Sequence, residues 1–183
     1  MPCPGRSDRI SVNVFNVSRY YLLILGEREA ILWVLREQRM AFPSTPRAEV
    51  AALATGDRLL LYTTRGAWGN PTRDRGRIVG TATVTSAVQM LDEPVEISGR
   101  RFSSGCELSI DGLIPYPGGV ELHPLVTDLA AFPKPESWSV YLRRALLGLP
   151  APDAKLLLRR LGPLLTDRAS ALTSYPAPRA AAR

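Results

Sequence analysis

Residues 63–75, Thr-Thr-Arg-Gly-Ala-Trp-Gly-Asn-Pro-Thr-Arg-Asp-Arg, gather groups that suit nucleic acid. Arg65, Arg73 and Arg75, with Arg77 just beyond, carry planar guanidinium forks that match phosphate. Trp68 offers a ring on which a base can stack, and Asn70 an amide for a base edge or a sugar. The competing reading is a solvated hairpin whose Trp68 folds back onto the core. Just before this stretch, Tyr62 ends an apolar run, where its ring faces either core or pocket. Thr63 and Thr64 follow with hydroxyls. Glu27 and Arg28 stand at the start of a helix, whose first backbone N–H groups have no partner within the helix. Those donors and Glu27 could hold a base edge, or Glu27 simply complements the helix dipole.

Other chemistries lack their residues. His123 is the only histidine, and Cys3 and Cys106 are far apart, so no ordinary zinc site is expected. A Ser-His-Asp triad would have to use His123, which sits between Leu122 and Pro124 and reads as structural. There is no Gly-x-Gly-x-x-Gly and no Walker loop. Catalysis through Lys, Thr and Glu would need a lysine near the cleft, and Lys134 and Lys155 lie in the C-terminal third. No catalytic residue, cofactor or metal is therefore assigned.

The 183 residues are about one domain's worth, with 45% apolar residues and a net charge of +6. Almost all the positive charge is Arg, which fits a nucleic-acid partner and equally a GC-rich genome. Two cysteines imply no disulfide framework, and no run approaches a membrane span. A cytoplasmic protein with no membrane partner is expected.

These side chains need a scaffold. Residues 1–17 read as a flexible arm, 18–166 as a single domain and 167–183 as a disordered tail. Tyr20–Leu25 is a continuous apolar run that suits a buried strand, and Glu27–Arg39 has helical spacing. Met40–Pro43 reads as a turn. Thr45-Pro46 reads as the start of a short helix that runs through Leu53 and closes at Gly56. Asp57–Thr64 and Arg77–Leu91 read as strands, the latter alternating between two faces. Val95–Ile97, Cys106–Ile114 and Gly118–Leu122 add short strands. Trp138, Tyr141, Leu142, Ala145, Leu146 and Leu149 form one apolar stripe, which predicts a helix ending at Gly148 and Pro150. Asp153 is placed as the cap of a last helix. The order implies a small α+β barrel with helices packed outside it.

That order resembles the EVE domain of the PUA-like superfamily, which also holds ASCH and YTH domains. The resemblance is carried by Tyr20–Leu25 running into a helix, the Met40-Ala41-Phe42-Pro43 turn and the strand start Gly56–Tyr62. The strand Gly76–Val84 and the segment Trp138-x-x-Tyr141-Leu142-Arg143 also contribute. It implies a PUA-like mixed pseudo-barrel of about five to seven strands with flanking helices. It further implies a module that takes a single, often modified, base of DNA or RNA into an aromatic pocket. Phe42 would then line the pocket, as opposed to stapling two helices together. This chain departs from the pattern in its Gly26-Glu27-Arg28 turn and in carrying Phe42 where many relatives carry a Trp. The base pocket is expected to comprise Phe42, Tyr62, Thr63, Thr64 and Glu27, and the nucleic-acid-binding loop Arg65, Trp68, Asn70, Arg73, Arg75 and Arg77. The alternatives are an ASCH-like enzyme acting on nucleosides or RNA, and a protein-interaction module.

Overall fold

The structure is a computed structural model and describes residues 18–177. The expected arm (1–17) and the last six residues of the expected tail lie outside the described residues. The chain runs β1 (Tyr20–Leu25), α1 (Arg28–Glu37), β2 (Arg39–Phe42), α2 (Ala48–Ala51), β3 (Arg58–Thr63), β4 (Arg77–Val84) and β5 (Gln89–Ile97). Then follow β6 (Arg100–Leu113), β7 (Val120–Glu121), α3 (Trp138–Tyr141), β8 (Leu146–Leu149), α4 (Ala151–Leu161) and α5 (Arg168–Leu172). The strands form one mixed sheet in the order β2-β6-β4-β3-β1-β8, with β5 paired to β6 and β7 to β4. β1 and β3 are parallel, and every other pairing is antiparallel. The result is an α+β pseudo-barrel that does not close, since β2 and β8 end the path without pairing to each other.

Both faces of the central strands are buried, which is why β1 and β3 read as unbroken apolar runs. Tyr21, Leu23 and Leu25 alternate with Leu22 between two cores. One core is roofed by Ile31, Leu32, Val34 and Leu35 of α1. The other is roofed by Leu157 and Leu161 of α4 and by Val126, Leu129 and Phe132. Fully burying a Leu or Phe side chain contributes about 1.5–3 kcal/mol.

Three expectations are corrected. The Met40–Pro43 turn is largely strand: α1 stops at Glu37, and Gln38 takes the left-handed conformation at φ 52. This turns the chain so that Arg39–Phe42 pairs with Glu107–Ser104 of β6. The helix expected over 138–149 is only one turn, α3, and Leu146–Leu149 is strand β8, paired with Leu23–Tyr20 of β1. The apolar spacing suits either element. The free edge of β1 decides between them, because its buried N–H and C=O groups need partners. Asp153 does not cap α4. It is buried within the first turn, and its carboxylate accepts from Ala130 N at 3.2 Å and Ala131 N at 2.8 Å.

Part of the expected tail is also structured. Asp167 accepts from Ser170 N at 2.9 Å and caps α5, and hydrogen bonding from the Ser170 side chain, then from its backbone N–H, holds the Asp167 carboxyl below the usual range. Tyr175 beyond α5 is buried and donates its hydroxyl to Ile114 O at 2.8 Å. Among the described residues no helix is long and apolar enough to cross a membrane.

Candidate nucleic-acid interface

β1 and β3 run parallel and finish side by side at Leu25 and Thr63, with Thr64 N donating to Leu25 O. Around this end of the sheet lie two cavities, and eight of the eleven expected site residues divide between them.

The larger has a volume of about 560 Å³ and opens between α1, β2 and the segment before β8. Leu23, Leu25, Val34 and Met40 form part of its wall. Trp33, Phe42 and Phe102 supply aromatic rings, and Glu27 and Thr64 supply polar groups. Arg47, Arg100, Arg143 and Arg144 also line it and are exposed, so cations stand at its mouth. Arg100 lies over the Phe102 ring at 5.6 Å and reaches Glu27 Oε1 at 3.4 Å. Among the described residues Arg47, Arg143 and Arg144 form no ion pair. One carboxylate thus faces four guanidinium groups, so an anion approaching this mouth meets net positive charge.

The smaller cavity has a volume of about 370 Å³ and lies beneath residues 64–76. Thr63, Trp68, Arg73, Asp74, Arg75 and Arg77 line it, with Tyr116 and Tyr175 opposite. Trp68 meets Tyr116 edge to face at 5.0 Å and Tyr175 at 6.0 Å. Trp68 is therefore folded back onto aromatic neighbours yet stays only half-buried.

The loop braces itself. Asn70 Oδ1 accepts from Thr72 Oγ1 at 2.8 Å and from Arg73 N at 3.2 Å, so that oxygen is engaged within the loop. Arg65 donates to Pro71 O, and Arg73 pairs with Asp74 at 2.7 Å, which raises the Arg73 pKa. Arg77 pairs with Glu121 at 3.2 Å and donates to Pro117 O. Arg75 is the least engaged, with one long contact to Thr72 O at 3.5 Å.

Phe42, Thr64 and Glu27 therefore come together, and so do Trp68, Arg73, Arg75, Arg77 and Thr63. Thr63 is buried, and its hydroxyl donates to Arg77 O at 3.3 Å. Arg65 and Asn70 line neither cavity. Tyr62 is a correction: it is 1% exposed in the second core, and burial pushes its hydroxyl up to about 12. Sequence reasoning passed over Trp33, Phe102, Arg47, Arg143 and Arg144 as site residues. Arg100-Arg101 and Arg143-Arg144 each stand beside a strand terminus at the cavity, and such paired arginines were the signal available. His123 stacks on Trp138 at 5.4 Å and lines neither cavity. Among the described residues no three His, Cys, Asp or Glu come close enough to hold a metal ion.

The architecture is shared with solved structures. The YTH domain of Zygosaccharomyces rouxii MRB1, in complex with N6-methyladenosine RNA, matches with a TM-score of 0.55 at 17% identity, over 79% of this chain and 87% of that one. The Pho92 YTH domain, in complex with m6A, matches with a TM-score of 0.53 at 12% identity, over 78% and 85%. A hypothetical protein from Leishmania major gives 0.51 at 12% identity, over 80% and 96%. The fold is PUA-like. No family model matches the sequence. No curated protein matches it either.

Proposed function

We propose that this chain is a nucleic-acid reader of the EVE type that takes one base, modified or not, out of a strand and into the larger cavity. The observation that carries the proposal is an aromatic recess with four arginines at its mouth and a single opposing carboxylate. An extruded base loses its stacking neighbours, and rings in the pocket replace them. Trp33 and Phe102, both half-buried, are available for that, at about 1–3 kcal/mol per stacked base, and Phe42, only 4% exposed, backs them from the core. Thr64, Glu27 and the first N–H groups of α1 offer hydrogen bonds to the base edge, and Glu27 accepts from a ring or amino N–H. Arg47, Arg100, Arg143 and Arg144 take the flanking phosphates, and Arg65, Arg73, Arg75 and Arg77 extend the basic track along the 65–75 loop. The likeness in fold to YTH domains solved with N6-methyladenosine RNA supports the same reading. Binding rather than turnover is the activity proposed.

The reading is tested through salt. Arg144→Ala should weaken binding of every oligonucleotide by a similar factor. It should also lower the slope of log K against log salt by about one, because one phosphate contact and its counterions are gone. An unchanged affinity and slope would take Arg144 out of the interface.

A further inference from the structure

The sheet order β4-β3-β1-β8 places the smaller cavity over the β4/β3 side of the same end and the larger over the β1/β8 side. Thr63 lines the first and Thr64 the second, so their walls meet at consecutive residues. Neighbouring strands lie about 4.8 Å apart, which puts the parts of the sheet beneath the two cavities on the order of 10 Å from each other. That span is on the order of one or two nucleotides.

We infer that the smaller cavity is a second nucleotide subsite, which takes the neighbour of the extruded base and favours adenine or cytosine there. This inference rests on the base-reading role proposed above. The volume of about 370 Å³ falls in the range of small-molecule sites. Its wall holds the two groups a nucleotide needs. Trp68 and Tyr116 are half-buried rings that meet edge to face, leaving a corner for a planar base. Arg75 is exposed and almost unengaged, and Arg77 Nε is buried with no hydrogen-bond partner among the described residues. Both can serve a phosphate.

Selectivity comes from Asp74. Arg73 Nε holds Asp74 Oδ1, while Oδ2 is buried without a partner among the described residues. Asp74 lines the cavity and rotation about a carboxylate χ2 is soft, so Oδ2 is free to turn toward a base bound there. There it accepts from the exocyclic amino group of adenine or cytosine. Uracil and thymine present a carbonyl oxygen at the corresponding place, which meets the carboxylate unfavourably.

The three tryptophans of the chain report on the sites separately, since Trp33 lines the larger cavity, Trp68 the smaller and Trp138 neither. The full chain, labelled with 15N at the indoles, is titrated with single-stranded DNA and RNA 5-mers. These carry N6-methyladenine or 5-methylcytosine at the centre, flanked by adenine or by uracil or thymine. For at least one centre the Trp33 and Trp68 resonances should shift together, and Trp138 should stay fixed. The adenine flank should bind about tenfold tighter. Asp74→Ala should level the two flanks, and Arg75→Ala should weaken the adenine-flanked 5-mer about tenfold. A shift at Trp33 with Trp68 unmoved would overturn the subsite and leave the base reader standing. No shift at either ring with any 5-mer would overturn both.

Discussion

Gly76 seats the basic loop on the sheet. A Cβ built there would lie 2.0 Å from Tyr62 Oη and 2.9 Å from Tyr62 Cζ. The Tyr62 ring is fully buried and cannot swing aside. Gly76→Ala should therefore cost about 1–3 kcal/mol, the range of overpacking in a well-filled core, and should disturb the loop before the rest of the fold. Denaturant unfolding measures the loss. Tyr62→Phe in the same chain should recover part of it by removing the closest atom, and an additive result would deny the contact. This pairing also explains how far single residues were legible. Tyr62 reads ambiguously because it closes an apolar strand next to polar residues, and nothing local says that Gly76 lies over its hydroxyl. The loop arginines were legible as a type and not as a role. Arg73 and Arg77 are each paired with a carboxylate, and those partners depend on how the loop folds. Phe42, Thr64 and Glu27 were placed together through the family resemblance. Trp33 packs against the core as well as lining the cavity, and nothing in its local sequence separates the two roles.

Elements were most legible where local pattern and tertiary partner agree. β1, β3 and β4 are apolar strands that occupy the middle of the sheet, so burial on both faces reinforces what the sequence suggests. β2 and β8 were missed because they are short, four residues each, and are made strands by the edges they cover. The long β6 is the hinge of the design. It pairs with β4 over Leu108–Leu113, with β2 over Ser104–Glu107 and with β5 over Arg100–Gly105. Where β2 and β5 both meet it, Gly105 lets the strands approach: a Cβ there would lie 2.4 Å from Met40 O. Backbone cannot move aside as a side-chain tip can. Gly105→Ala should thus destabilise by about 1–3 kcal/mol and loosen β2 specifically, read as faster hydrogen exchange at Met40 and Phe42 than in α4. Uniform exchange across the molecule, or no loss of stability, would contradict this account of the crossing. The helix expected over 138–149 failed for the complementary reason. A stripe of Leu, Ala and Tyr serves a helix face or a half-buried strand equally well.

At the scale of the whole molecule, three acids are buried in their neutral form. Desolvation pushes Cys106 and Tyr62 each up to about 12 and drives Tyr175 higher still. Their ordinary values are 9.0 for the thiol and 10.0 for the phenols. Between those values and about 12 the unfolded chain loses protons that the folded chain keeps, so the unfolded state binds fewer protons and stability falls as pH rises. Below about pH 8 both states are protonated at these groups, and they add no pH dependence. The melting temperature should therefore hold level from pH 7 to about 8 and drop from about pH 9 upward. An unchanged melting temperature at pH 11 would mean these groups are not buried as described. Function belongs to this scale too, because the larger cavity is assembled from α1, β2, the β5–β6 turn and the segment before β8, which meet only in the folded chain. The measurement that bears most directly on that assembly is the affinity of the full chain for single-stranded 5-mers with a methylated or an unmethylated central base, at two salt concentrations, beside Trp33→Ala. A base reader should bind in a salt-sensitive way and discriminate between at least one methylated and unmethylated pair. Trp33→Ala, with its fold checked by circular dichroism, should lose that discrimination together with about 1–3 kcal/mol of affinity. Affinity that ignores the central base and the Trp33 ring alike would contradict a base held in this cavity.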